Sequence, residues 1–234
     1  FNVTAENVTL DCAGYEVNYS YGGVLGYGVY SEMFNTSVRN CVIKEGAKAT
    51  GNKDGIKFNG VDYGVIDNNT IITTGSGSDA IVDVSSEYLT VINNNLSSGG
   101  GGSGTFGLNF DSSATDYANI SYNIIRTTTG WAAIGMIIRG DYDNINHNVI
   151  DITSDSGWGI WLRSGNNNNF YNNTINSIGD GIQIASNAQD NVLSKLNISV
   201  TGSGEYGVYV GLNKNNNTII DSVINSGDGV DIYV

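Results

Sequence analysis

The chain has 234 residues, 32 glycines, no proline, 14% charged residues and a net charge of −13. Ten basic residues against 23 acidic ones argue against nucleic-acid binding and against docking on anionic lipid, both of which depend on Lys and Arg. No apolar run approaches the ~18 residues of a membrane-spanning helix. The texture is even throughout, so 1–234 reads as one domain without a linker, and Phe1 reads as a processed or trimmed start.

Along the chain, one motif reads Gly, apolar, any residue, apolar. It begins as the degenerate Gly28-Val29-Tyr30 and continues as Gly55-Ile56-Lys57-Phe58. A second degenerate copy lies at Ala80-Ile81, where Asp83 breaks the pattern. Full copies follow at Gly107–Phe110, Gly135–Ile138, Gly159–Leu162, Gly181–Ile184, Gly207–Val210 and Gly229–Ile232. A second motif alternates with the first and reads apolar, any residue, polar pair, any residue, apolar. Its copies are Ile66–Ile71, Ile92–Leu96, Ile120–Ile125, Ile145–Ile150 and Phe170–Ile175.

The period is 22 to 29 residues. Two-residue alternation makes each motif a short strand with one buried face. Val, Ile, Thr and Tyr fill the strands, and Gly, Asn, Asp and Ser fill the turns between them. A single coil cannot bury its apolar side, whereas coils stacked in register share one core and pair their strands. The expected fold is all-β, a single right-handed parallel β-helix of about nine coils, roughly 40–45 Å long at ~4.8 Å per coil. Asn69, Asn94, Asn123, Asn148 and Asn173 recur at one repeat position and should stack as a ladder of amides. Loops are expected at Glu16–Gly26, Gly46–Lys53 and Ser97–Thr105.

The segments Asn7–Gly14, Val38–Ile43 and Asp54-Gly55-Ile56 resemble the opening of the NosD-like β-helix proteins of the carbohydrate-binding and sugar-hydrolysis type, within the pectin-lyase-like superfamily. That resemblance spans nearly the whole chain. It implies secreted or envelope-associated proteins of archaea and bacteria. Some handle polysaccharide, some assist copper-site maturation, and many are repeats of large surface proteins.

Cys12 and Cys41 lie one coil apart, within reach of a disulfide; the alternative is two buried thiols. Ten Asn-x-Ser/Thr sequons occur, at Asn2, Asn7, Asn18, Asn35, Asn68, Asn95, Asn119, Asn172, Asn197 and Asn216. Asn68 and Asn172 adjoin the ladder and are expected to face inward, which leaves Asn2, Asn7, Asn18 and Asn35 as the better acceptors of covalent glycan. A disulfide and glycans both point outside the cell.

Catalytic β-helices need acids, or acid with Arg or Lys, on one outer face. Asp111, Arg139 and Arg163 follow the first motif in successive coils and could grip a uronic acid, or form a surface ion pair. Trp161, Gln183 and Tyr209 are read as outward and could stack on sugar, or cover apolar surface. Asp231 is read as outward in the same series. His147 reads as a turn residue, and without a repeated Met motif beside Met33 or Met136 it does not suit copper delivery. Asp141-Tyr142-Asp143-Asn144 with Asp151 and Asp155 could hold Ca²⁺ but lacks a recognised Ca²⁺ frame; no other cofactor is expected.

These features give an expected function: a secreted, glycosylated, structural cell-surface protein, with no catalytic constellation. The C-terminal half-coil Gly229–Val234 lacks a cap and complements the N-terminal half-coil, which points to head-to-tail self-stacking or to a place among adjacent repeats of a longer chain. The alternative is a β-helix that binds or cleaves polysaccharide.

Overall fold

The structure, a computed structural model, describes residues 1–21, 26–46, 53–100, 104–128, 133–185, 187–211 and 216–234. The strands form three parallel sheets. The first holds ten strands, from Asn2–Val3 to Val230–Tyr233. The second holds nine, from Thr9–Asp11 to Thr218–Ile220, and the third nine, from Glu16–Tyr19 to Val223–Asn225. The chain visits them in turn, so each strand pairs with its counterpart one coil away. This is a parallel β-helix.

Each coil has three strands rather than the two its motifs suggest. The second motif is broken in the middle by a residue in left-handed conformation: Asn40, Asn68, Asn93, Tyr122, His147, Asn172, Lys195 or Asp221, with φ between 51° and 58°. That residue turns the chain through a corner of two residues and starts the third sheet. Glu16–Tyr19, expected as part of a loop, is the first strand of that sheet, because Val17 and Tyr19 alternate inward.

Inward side chains fill the coil from all three sides. Ile56, Phe58, Ile66 and Ile71, all from one coil, are completely buried. The glycine of the first motif stands where this core meets the third sheet. A Cβ on Gly55 would lie 2.3 Å from Ile71 Cγ2, and one on Gly107 would lie 2.2 Å from Ile125 Cγ2. Gly28, Gly135, Gly159, Gly181 and Gly207 face an isoleucine in the same way, and Gly229, outside this column, faces the Glu205 backbone instead. The coil that carries Ala80 in place of glycine carries Leu96 in place of isoleucine. Leucine has no methyl on Cβ, and this leaves room for the alanine.

Two positions depart from the apolar pattern. Asp83 occupies the inward register of Phe58 and Phe110 and is buried. It accepts hydrogen bonds from Ser86 N at 3.2 Å, from Ser86 Oγ and from Thr115 Oγ1 at 2.7 Å, so its burial is compensated. Asp231 does not point outward. Val230 pairs with Tyr206 and Ile232 with Val208, which shifts the last strand by two residues and puts Asp231 in the glycine column. There its carboxylate accepts from Ser226 N and Oγ, both at 2.9 Å, a small polar closure of the end coil.

The five ladder asparagines are buried beside the second corner. Asn94 shows the pattern. Its Nδ2 donates to Asn123 Oδ1 at 3.0 Å and to Ile66 O at 2.8 Å, while its Oδ1 accepts from Asn69 N and Nδ2. A second ladder, which the motifs did not reveal, runs down the first corner through Asp143, Asn168, Asn191 and Asn217. The disulfide Cys12–Cys41, with Cα atoms 4.8 Å apart, stands at the head of the first ladder, where Cys41 N donates to Asn69 Oδ1.

Replacing Asn123 by Ala removes the acceptor for Asn94 N and Nδ2 and strands several buried groups. Denaturant unfolding should show a loss of about 3 kcal/mol or more. The exposed neighbour Asn95→Ala should stay within about 0.5 kcal/mol.

Candidate functional site

The outer face of the ten-stranded sheet presents two side-chain columns. Pairing register aligns Tyr30, Lys57, Val82, Asn109, Ile137, Trp161, Gln183, Tyr209 and Tyr233 in one. The same register aligns Tyr27, Asp54, Asp79, Phe106, Ile134, Trp158, Asp180 and Tyr206 in the other. Val82 and Ile137 are almost fully buried although they lie on this face. Ile137, with Ile134 beside it, separates a polar groove in the early coils from an aromatic patch in the late ones.

The groove encloses about 400 Å³ and is lined by Tyr27, Asp54, Lys57, Asp79, Phe106 and Asn109, with Val82 at its base and Gly77 and Gly104 at the rim. Tyr27 packs flat on Tyr30 with ring centroids 5.3 Å apart, and Lys57 Nζ sits 5.1 Å above the Tyr27 ring. Asp54 Oδ1 accepts from Asp79 N at 3.1 Å. Asp79 Oδ1 accepts from Phe106 N at 2.8 Å and Oδ2 from Asn109 Nδ2 at 2.7 Å. Burial pushes the Asp54 carboxyl up to about 6 and, reinforced by the Asp54 charge, the Asp79 carboxyl up to about 8, with Lys57 opposing both. The groove therefore presents the second oxygen of Asp54, an ammonium, an amide and a phenol between two aromatic walls, with Asp79 buried behind them. Such a mixture of donors and acceptors suits the hydroxyls of a sugar.

Lys57 and Asn109 share the outward register of Trp161, whereas Asp54 and Asp79 were not among the expected site residues. Both directly precede the core-lining Gly55 and Ala80 and fall one step outside the Gly, apolar, any residue, apolar motif. The available signal was an acid at that step in two successive coils. Of the three expected loops, Gly104 from Ser97–Thr105 reaches the groove; residues 22–25, 47–52 and 101–103 lie outside the described residues.

In the late coils, Trp161, Gln183 and Tyr209 do stand side by side, joined by Trp158, Tyr206 and Tyr233. Tyr209 and Tyr233 stack at 5.4 Å, and Trp158 meets Trp161 edge to face at 5.1 Å. Trp161 Nε1 and Gln183 Oε1 are buried without a hydrogen-bond partner, so a donor and an acceptor stand unused on paired residues. Asp111, Arg139 and Arg163 also converge. Arg163 Nη1 lies 2.5 Å from Asp111 Oδ2 and Arg139 Nη1 lies 3.3 Å from Asp111 Oδ1. The carboxylate is thus occupied by both guanidiniums, and Arg163 also covers the Trp161 ring at 4.9 Å. At this exposure such pairs contribute about 0–1 kcal/mol.

The remaining candidates do not gather. Asp143 is buried in the second ladder and Asp141 accepts from Asn166 N at the surface, so the two acids diverge. Among the described residues no three His, Cys, Asp or Glu side chains are grouped to hold a metal. His147 is a corner residue stacked on Tyr122 at 4.8 Å. Asn68 and Asn172 are exposed, contrary to the inward expectation, because their left-handed backbone turns the side chain out and leaves the next residue to face the ladder. Of the ten sequon asparagines, Asn119 is half-buried and the others are exposed.

No protein-family model matches the chain, and no curated protein matches it. Among solved structures it is similar to the Streptococcus pneumoniae surface protein and adhesin PfbA. One structure gives a TM-score of 0.52 at 11% identity over 88% of this chain and 68% of that one. A second gives 0.50 at 10% identity over 97% and 72%. Tailspike protein 3 of bacteriophage CBA120 superposes with a TM-score of 0.45 at 10% identity, over 100% of this chain and 52% of that one. Likeness this remote shows a shared fold: the chain is a β-helix of the kind found in PfbA.

The raised carboxyls make stability depend on pH. Asp54 and Asp79 hold protons in the folded chain that they release when unfolded, so their contribution is complete below about pH 4 and is lost as pH rises through about 6 and 8. The melting temperature should fall over that window. Asp79→Asn should flatten its upper part, as a melting series across pH will show.

Proposed function

We propose that this chain is an extracellular surface module that binds polysaccharide along the outer face of its ten-stranded sheet. The groove between Tyr27 and Phe106 carries this reading. It is concave, aromatic-walled and rich in groups that bond hydroxyls. The Trp161–Gln183–Tyr209 patch lies on the same face a few coils further on, and a long polymer lying along the axis would meet both. Binding is favoured over cleavage because Asp79 has both oxygens engaged by neighbouring groups, and Asp54 spends one on the backbone. The disulfide and the exposed sequons suit an extracellular location, and glycosylation at Asn2, Asn7, Asn18 and Asn35 is part of this reading. PfbA, which shares the fold, is described as a surface adhesin. In the NosD-like resemblance, handling of polysaccharide fits this face, and copper delivery finds no cluster among the described residues.

Affinity electrophoresis against neutral and acidic polysaccharides tests the reading. Retardation is expected in at least one gel, abolished by Lys57→Ala with Asn109→Ala. Trp161→Ala with Tyr209→Ala should weaken binding of long polymer by about tenfold and spare short oligosaccharides. A protein that migrates freely in every gel, or variants that bind like the parent, would refute it.

A structural role in assembly is the second reading, favoured by the C-terminal end coil. Val223, Ile232 and Val234 are 67%, 43% and 90% exposed, and a cavity of about 220 Å³ opens there among Ile184, Val210, Ile219, Ile232 and Val234. Another coil would cover this surface, supplied by a second copy stacked head to tail or by adjacent repeats of a longer chain. Light scattering at rising concentration should show linear oligomers, and Ile232→Lys should dissolve them. A mass that stays monomeric throughout removes the self-stacking form.

A further inference from the structure

In the late coils, Asp180 and Gln183 occupy the two outward columns of one coil, and aromatic residues occupy both columns of the coils on either side. Trp158 and Trp161 stand on the coil before, with ring centroids 5.1 Å apart. Tyr206 and Tyr209 stand on the coil after, at 5.4 Å. Tyr209 stacks flat on Tyr233 of the next coil, so its plane lies across the axis and its other face is turned to Gln183. Gln183 is long enough to fill its place between Trp161 and Tyr209. Asp180 is one methylene shorter, so the half-buried rings of Trp158 and Tyr206 flank a gap with a carboxyl at its floor.

The gap is acidic. Asp180 Oδ1 accepts from Tyr206 N at 2.7 Å, which holds the carboxyl in place. Glu205 lies beside it, and burial followed by the Asp180 carboxyl pushes the Glu205 carboxyl up. Among the described residues no Lys or Arg forms an ion pair with either acid. The groove differs in this respect, because Asp54 and Asp79 feel the charge of Lys57. Arg163 does not serve the late acids. It reaches back to Asp111, two coils earlier, so its guanidinium covers the side of Trp161 turned away from Gln183.

We propose that the gap over Asp180 is a subsite for a quaternary ammonium group, a trimethylammonium substituent on the polysaccharide; for this carrier it rests on the function proposed above. An aromatic face attracts a cation within ~6 Å of its centroid. Two coil rises separate the coils of Trp158 and Tyr206 by ~9.6 Å, so a group midway lies ~4.8 Å from each. The chain's own cations keep this distance from rings: Arg163 lies 4.9 Å from Trp161, Lys57 5.1 Å from Tyr27 and Lys195 5.1 Å from Tyr171. A primary ammonium is strongly hydrated and needs three acceptors in exchange for its water. Ring faces offer none, and one oxygen of Asp180 is already spent on the backbone. A quaternary ammonium has no N–H to satisfy, and the two carboxyls complement its charge.

Proton NMR titration with choline in physiological salt tests the proposal. Two comparisons isolate the chemistry: 3,3-dimethylbutan-1-ol keeps the shape without the charge, and ethanolamine keeps the charge on a primary amine. Choline should bind at least about tenfold more tightly than either. Asp180→Asn keeps an oxygen for Tyr206 N and should weaken choline by about tenfold, as should Tyr206→Leu. Asp141→Asn, which removes a distant acid, should bind choline like the parent. The proposal is overturned by no binding of choline, by equal or tighter binding of either comparison, or by Asp180→Asn binding like the parent. A chain retarded by polysaccharide gels but indifferent to choline loses this subsite alone. A chain that binds choline yet migrates freely in every gel, or that sediments with phosphatidylcholine vesicles, overturns the polysaccharide as carrier.

Discussion

Register between coils is the constraint on which everything else rests, and the buried asparagine amides hold it. A β-strand can slip against its neighbour by two residues and still bury an apolar face. An amide that donates to the next amide and to a strand carbonyl, while accepting from its neighbour's backbone, cannot slip without stranding buried groups. Each ladder asparagine therefore fixes one coil on the next. Since outward columns exist only if register is kept, the groove and the aromatic patch depend on these inner bonds although they touch none of them.

The ladder also has a defined beginning and end. At its head the disulfide between Cys12 and Cys41 joins the first coil to the second, with a covalent link where the amides have not yet started. At its tail Leu196 takes the asparagine position, and its backbone N–H donates to Ser222 Oγ. The second ladder through Asp143, Asn168, Asn191 and Asn217 covers these later coils. The two ladders overlap in the middle of the rod, so each interface between coils is pinned at one corner at least from Cys41 to Asn217.

Period, strand alternation and the stacked asparagines were legible in the sequence because each is a repeated choice of residue type. The third sheet was not. It depends on one left-handed residue inside an otherwise continuous motif, and this position accepts Asn, Tyr, His, Lys and Asp alike, so no residue type marks it. Outward positions such as Trp161, Gln183 and Tyr209 followed from alternation alone and aligned as read. Asp54 and Asp79 escaped because their neighbours Gly55 and Ala80 draw the eye to the core contact with Ile71 and Leu96. Asp231 was misplaced because a glycine two residues early imitates the motif, and only strand pairing reveals the true alignment.

The three corners of a coil are unequal. From Asn40–Cys41 to Asp221–Ser222 the second corner is always two residues long, whereas the connection from the third sheet back to the first runs from Ile178-Gly179 alone to the long stretch between Glu45 and Ile56. A change of length at the second corner would unseat the amide ladder, so insertions collect at the third. That third corner opens beside the groove, where Gly77 and Gly104 already form its rim. The rod is thus divided lengthwise into a seam that records the winding and a margin that is free to grow. A descendant of this chain could acquire a new wall around its binding face, coil by coil, without renegotiating the core.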